Sequence, residues 1–94
     1  MCRNIRVLHY FKPPTTHEEV HAAALQYVRK VSGMRDPSDE AAKAFEKAVE
    51  QIAAATSKLL GVLPKKGEPR TREGEKLKAK ARWERREKQI RSAE

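Results

Sequence analysis

Cysteine occurs once in the chain, at position 2, so no internal disulfide can form, and the pattern suits a reducing compartment better than a secreted scaffold. Histidine occurs three times, at positions 9, 17 and 21. His17 and His21 are four apart, a spacing that suits a metal, but no third ligand is placed to join them. Neither a metal nor another cofactor is therefore expected. No run of eighteen apolar residues is present, and the first thirty lack the charged, apolar, small-residue order of a secretory signal. That reading places the chain in the cytoplasm and away from membranes. At 94 residues with 5% aromatics, one small core is all the chain can build.

Positive charge, by contrast, is abundant and unevenly spread. The chain carries a formal +8, of which residues 1–64 hold nine Lys/Arg against seven Asp/Glu. Residues 65–94 hold twelve against six, so most of the excess lies in the last third.

The punctuation of the middle is helical. Thr16 followed by Glu19 forms a capping box, and Val20, Ala24, Tyr27, Val28 and Val31 recur at steps of three and four before Gly33. A helix is expected over residues 17–32. After "GMRDPSDE", in which Asp36 or Ser38 can cap and Pro37 suits a first turn, a second helix is expected over 39–60. Its apolar positions run from Ala41 through Phe45, Val49 and Ile52 to Leu59, and Gly61 is expected to stop it. The two helices form a hairpin, with Phe45, Tyr27, Ile52 and Leu59 expected to supply most of the buried volume.

The opening "MCRNIRVLHYFKPPTT" alternates like a strand, Ile5, Val7 and Phe11 on one face and Leu8 and Tyr10 on the other, but no later segment reads as a partner. It is therefore read as an arm lying on the helices, a short first helix, or a strand paired with its own copy in a dimer. At the other end, "PKKGEPRTREG" reads as a linker, followed by a basic stretch that is helical from about residue 72 and short of residues that could pack it. The expected architecture is all-α, a helical domain over 1–63 with a linker and basic tail over 64–94.

Candidate functional residues lie mainly in that tail. On a helix Lys76 meets Lys80, Lys78 meets Arg82, and Arg82 meets Arg86, like-charge contacts that an anionic partner would relieve. A phosphate backbone is the commonest such partner, and Trp83 among Lys80, Arg82, Arg85 and Arg86 is placed to stack on an unpaired base. A second candidate is the helix junction, where Arg29, Lys30 and Arg35 surround the start of the second helix. Asp36, Asp39 and Glu40 already complement that terminus and weigh against it. Cys2, with Arg3 and Arg6 to lower its pKa, is weighed as a nucleophile, but no oxyanion loop or second catalytic cluster accompanies it. It is read as a packing thiol and the protein as no enzyme.

The residues "MCRNIR", "PPTTHEEV", "AAALQYVRKVSG" and "AFEKAVEQIAAAT" resemble a bacterial family of uncharacterised proteins, domain of unknown function 2277, over roughly residues 1–63. The resemblance implies no activity, cofactor or site residue. Two helices joined by two turns are also similar to the helix-two-turns-helix element of the thirteenth small-subunit ribosomal protein and of formamidopyrimidine-DNA glycosylases. That likeness implies Arg29, Lys30 and Arg35 at phosphate. The expected function is binding of RNA or DNA through phosphate contacts of the tail, with a protein-interaction module or homodimer as the alternative. No small-molecule substrate is identified from the sequence.

Overall fold

The computed structural model describes residues 4–93. An irregular arm leads into three helices, α1 (His17–Ser32), α2 (Ala42–Val62) and α3 (Arg72–Ala93). Among the described residues there is no strand, only one isolated parallel bridge between Phe11 and Arg70, so the all-α expectation holds. No helix there is long and apolar enough to cross a membrane. Cys2, and Arg3 beside it, lie outside the described residues.

Helix α1 has the expected bounds for the expected local reasons. Thr16 Oγ1 accepts from the Glu19 N–H at 3.2 Å, and Glu19 Oε1 accepts from the Thr16 N–H at 3.0 Å. At the far end Gly33 adopts φ 71°, a left-handed geometry that costs glycine little, and donates its N–H to Arg29 O.

Helix α2 departs from expectation at both ends. Neither Asp36 nor Ser38 caps it by its side chain; the cap position is Ala41, without a side-chain hydrogen bond. A backbone turn, Ala41 N–H to Ser38 O at 3.0 Å, fills residues 38–41 and delays the helix past reach of those side chains. Nor does Gly61 stop it. The helix runs through to Val62, because an interior glycine costs only about 1 kcal/mol. The stop comes at Leu63, which precedes Pro64 and is therefore driven out of the helical region, to φ −68° and ψ 143°.

The hairpin core is narrow. Ala24 and Val28 meet Phe45 and Val49, with Leu25, Ala48, Ile52 and Ala53 half-buried around them. Contact on α1 follows one row of residues four apart, Val20, Ala24 and Val28, and leaves the neighbouring row open. Tyr27 is consequently 49% exposed, and Leu59 on α2 is 54% exposed, so neither is the core residue expected of it. The arm contributes instead: Leu8 and Phe11 are buried, while Ile5 and Val7 face solvent. This overturns the strand-like alternation, and the cause is local. Tyr10 sits at φ 58°, which bends the chain and breaks the period of two. The arm lies on the helices, its Asn4 N–H donating to Gln26 Oε1 at 2.9 Å.

These burial values fix an expected contrast. Phe45→Ala is expected to cost about 3 kcal/mol, whereas Leu59→Ala stays within about 0.5 kcal/mol, both read from urea unfolding. Equal costs would contradict the placement of Leu59 at the surface.

Candidate nucleic-acid interface and its anchor

Helix α3 begins at a set of contacts that joins three parts of the chain. Arg72, its first residue, directs a two-pronged contact at Glu19 of α1: Nη2 to Oε1 at 2.7 Å and Nε to Oε2 at 3.3 Å. Such paired geometry is among the stronger ion-pair arrangements. The same guanidinium donates to Pro13 O at 2.9 Å and Pro14 O at 3.3 Å, and stands 5.5 Å above the centre of the Phe11 ring. Glu19 also accepts from Arg6 Nη2 at 3.2 Å, so one carboxylate holds the α1 cap, the arm and the α3 start together.

The stretch between α2 and α3 is bonded to the arm along its length. His9 Nε2 donates to Pro64 O at 3.0 Å and the Tyr10 hydroxyl to Gly67 O at 3.0 Å. Arg70 donates its backbone N–H to Tyr10 O at 2.8 Å and its Nη1 to His9 O at 2.7 Å, and its own carbonyl accepts from Lys12 N–H at 2.9 Å. Thr71 Oγ1 then accepts from Gly74 N–H at 3.0 Å. A Cβ at position 74 would sit 2.8 Å from that oxygen, so glycine clears the space for this cap.

Among the described residues Glu19 is the one carboxyl with a pKa driven well down, from 4.5 to about 2. The hydrogen bond from Arg72 contributes most, followed by the Thr16 backbone N–H; partial burial works against them, and Arg6 adds a smaller lowering. The Arg72 guanidinium is correspondingly held more firmly protonated by Glu19.

Beyond this anchor α3 runs free of the hairpin. Its 22 residues span about 33 Å, residues 76–91 are all exposed, and it packs on neither α1 nor α2. On a helix that turns about 100° per residue, Lys78, Arg82, Arg85 and Arg86 fall within one sector of roughly 100°. The acids Glu84 and Glu87 lie on the opposite side, among Lys76 and Lys80. Glu75, at the N-terminal end of the basic side, is engaged by Arg70 at 3.2 Å. None of Lys78, Arg82 and Arg86 has an acidic partner among the described residues. Trp83, 55% exposed, stands three residues before Arg86 at the edge of this stripe. The helix thus divides the sequence-derived set, bringing four cations together and placing Lys76 and Lys80 elsewhere.

At the hairpin junction Arg29 Nε donates to Arg35 O at 2.8 Å, so that guanidinium braces the connection, while Lys30 and Arg35 are exposed there. His17 and His21 are exposed, and among the described residues no three His, Cys, Asp or Glu side chains are grouped to hold a metal ion. Sequence reasoning assigned Glu19 to capping alone and missed Arg72, one of twelve cations in its segment.

The lowered pKa sets a pH dependence. Above about pH 4.5 Glu19 is ionised in both folded and unfolded chains, and its contacts contribute their full stability; as pH falls from 4.5 towards 2, that contribution is lost. Glu19→Gln is therefore expected to be less stable than the parent at neutral pH, with the gap in urea midpoint closing as pH approaches 2. A gap independent of pH would refute the assignment.

Comparison with known proteins bears on the anchor more than on the far part of α3. The family model described as "Uncharacterized conserved protein (DUF2277)" matches residues 1–78, which takes in Glu19, the arm and Arg72 and extends past the residue-63 limit of the sequence resemblance. Lys80, Arg82, Trp83, Arg85 and Arg86 lie beyond the matched residues. No curated protein and no solved structure matches the chain. With 78 of its 94 residues matched, the chain belongs to the DUF2277 family.

Proposed function

We propose that this protein binds RNA or DNA through phosphate contacts made by Lys78, Arg82, Arg85 and Arg86 of α3. The observation that carries the reading is an exposed helix with four cations on one side and the acids of its middle turns on the other. Such a stripe gathers positive potential along a line, which suits a polyanion better than it suits a single small anion. Trp83 at its edge offers a face on which an unpaired base can stack. Contacts of this kind position the chain on the backbone and read little sequence. Lys30 and Arg35 at the hairpin junction are a secondary contact in this reading, and Arg29 braces the backbone at Arg35.

Fluorescence anisotropy of the full chain with labelled single-stranded RNA and duplex DNA at several salt concentrations tests it. Four phosphate contacts predict a slope of log affinity against log salt of about −3 to −4. Replacement of Lys78, Arg82, Arg85 and Arg86 by Gln is expected to flatten that slope and weaken binding at least about tenfold. Unchanged affinity in the replaced chain, or no binding by the parent to either probe, would reject the proposal.

A second reading, self-association, is favoured by the open row on α1, where Tyr27 and Val31 remain exposed beside a thin core. Light scattering across a concentration series decides it; a monomer throughout counts against it.

A further inference from the structure

An open cleft of about 520 Å³ lies where the arm passes the start of α1 and the end of α2. Small-molecule sites run from roughly 300 to 1,000 Å³, so the volume suits a compact organic ligand. The walls are largely apolar, with Phe11 and Val20 buried and Leu60 half-buried. The polar side chains include Lys12, His17, Ser57 and Lys65, drawn from four separate stretches of chain. Among the described residues no carboxylate lines the cleft. Neither lysine has an acidic partner among the described residues.

The edge of this cleft is also where the backbone is forced. Tyr10, which lines it, holds φ 58°, a left-handed geometry uncommon for a bulky residue. Its hydroxyl bond to Gly67 O and its carbonyl bond from Arg70 N–H hold it there. Backbone outliers of this kind persist where the surroundings over-determine them, and they cluster at ligand-holding sites.

Two lysines on the lining of one largely apolar cleft, with no carboxylate among the described residues that line it, specify the chemistry of the occupant. We propose that this cleft binds a small organic anion, its apolar body against Phe11, Val20 and Leu60 and its phosphate or carboxylate held by Lys12 and Lys65. The apolar wall strengthens the attraction by excluding water from one side of the anion. This site is separate from the stripe on α3, and all of its lining lies within the residues matched by the family model.

Titration of the isotope-labelled full chain with phenyl phosphate and with benzoate, followed by amide NMR shifts, tests the proposal; inorganic phosphate and benzyl alcohol serve as controls. The expected result is saturable shifts confined to residues 8–20 and 57–69 with at least one aromatic anion, the tighter of the two naming the acid group. Both controls are expected to bind at least about tenfold more weakly, as is the aromatic anion to the Lys12→Gln, Lys65→Gln chain, whose two substitutions are at exposed positions. The Gln replacements on α3 are expected to leave this binding unchanged, which separates the two proposals. No saturable shift with either anion up to about 10 mM would overturn it, as would equal affinity for either control or for the Lys12→Gln, Lys65→Gln chain.

Discussion

The Glu19 carboxylate is the point on which the rest of the structure depends. It closes the capping box of α1 through the Thr16 N–H, accepts the paired contact of Arg72, and takes Arg6 from the arm. An exposed ion pair contributes little to stability, because water and salt screen it. This one differs: the Glu19 side chain is only 17% exposed, and its oxygens are shared among three donating residues. The anchored guanidinium then satisfies two proline carbonyls in a segment that can form no regular ladder.

A core as small as this one needs such contacts. Four residues, Ala24, Val28, Phe45 and Val49, make the centre of the hairpin, and hydrophobic burial on that scale leaves a thin margin. The arm extends the buried surface with Leu8 and Phe11, but only because it is held in place. Hydrogen bonds from Arg70, Arg72, Tyr10 and His9 supply that restraint, most of them ending on backbone carbonyls. The polar stitching and the apolar arm therefore depend on each other. Helix α3 inherits its starting point from the same contacts, and its own packing does not hold it.

Helix α1 was legible because its signals are local: Thr16 and Glu19 are three apart, and Gly33 follows the last apolar position. The end of α2 was less so: Gly61 reads as the stop, whereas it is Pro64 that excludes the helical region from the residue before it. The arm's bend at Tyr10 carries no composition cue at all. Arg72 was invisible for a different reason. Its hydrogen-bond partners lie 53 to 59 residues away, and an arginine aimed at carbonyls leaves no periodicity to read. Of the candidate site, the count of cations in α3 was legible, but the separation of Lys78, Arg82, Arg85 and Arg86 from Lys76 and Lys80 required the helix to be in place. The acid-free cleft was not legible, because Lys12 and Lys65 are brought together only by the folded arm.

Hydrogen exchange on the full chain carrying Glu19→Gln addresses the central claim most directly. If this carboxylate holds the arm to the start of α3, the Lys12 and Arg70 amides, which pair the two segments, lose protection together, while amides around Val49 in α2 keep theirs. If Lys12 and Arg70 exchange in the variant as slowly as in the parent, Glu19 is a helix cap and nothing more, and the account of the anchor fails.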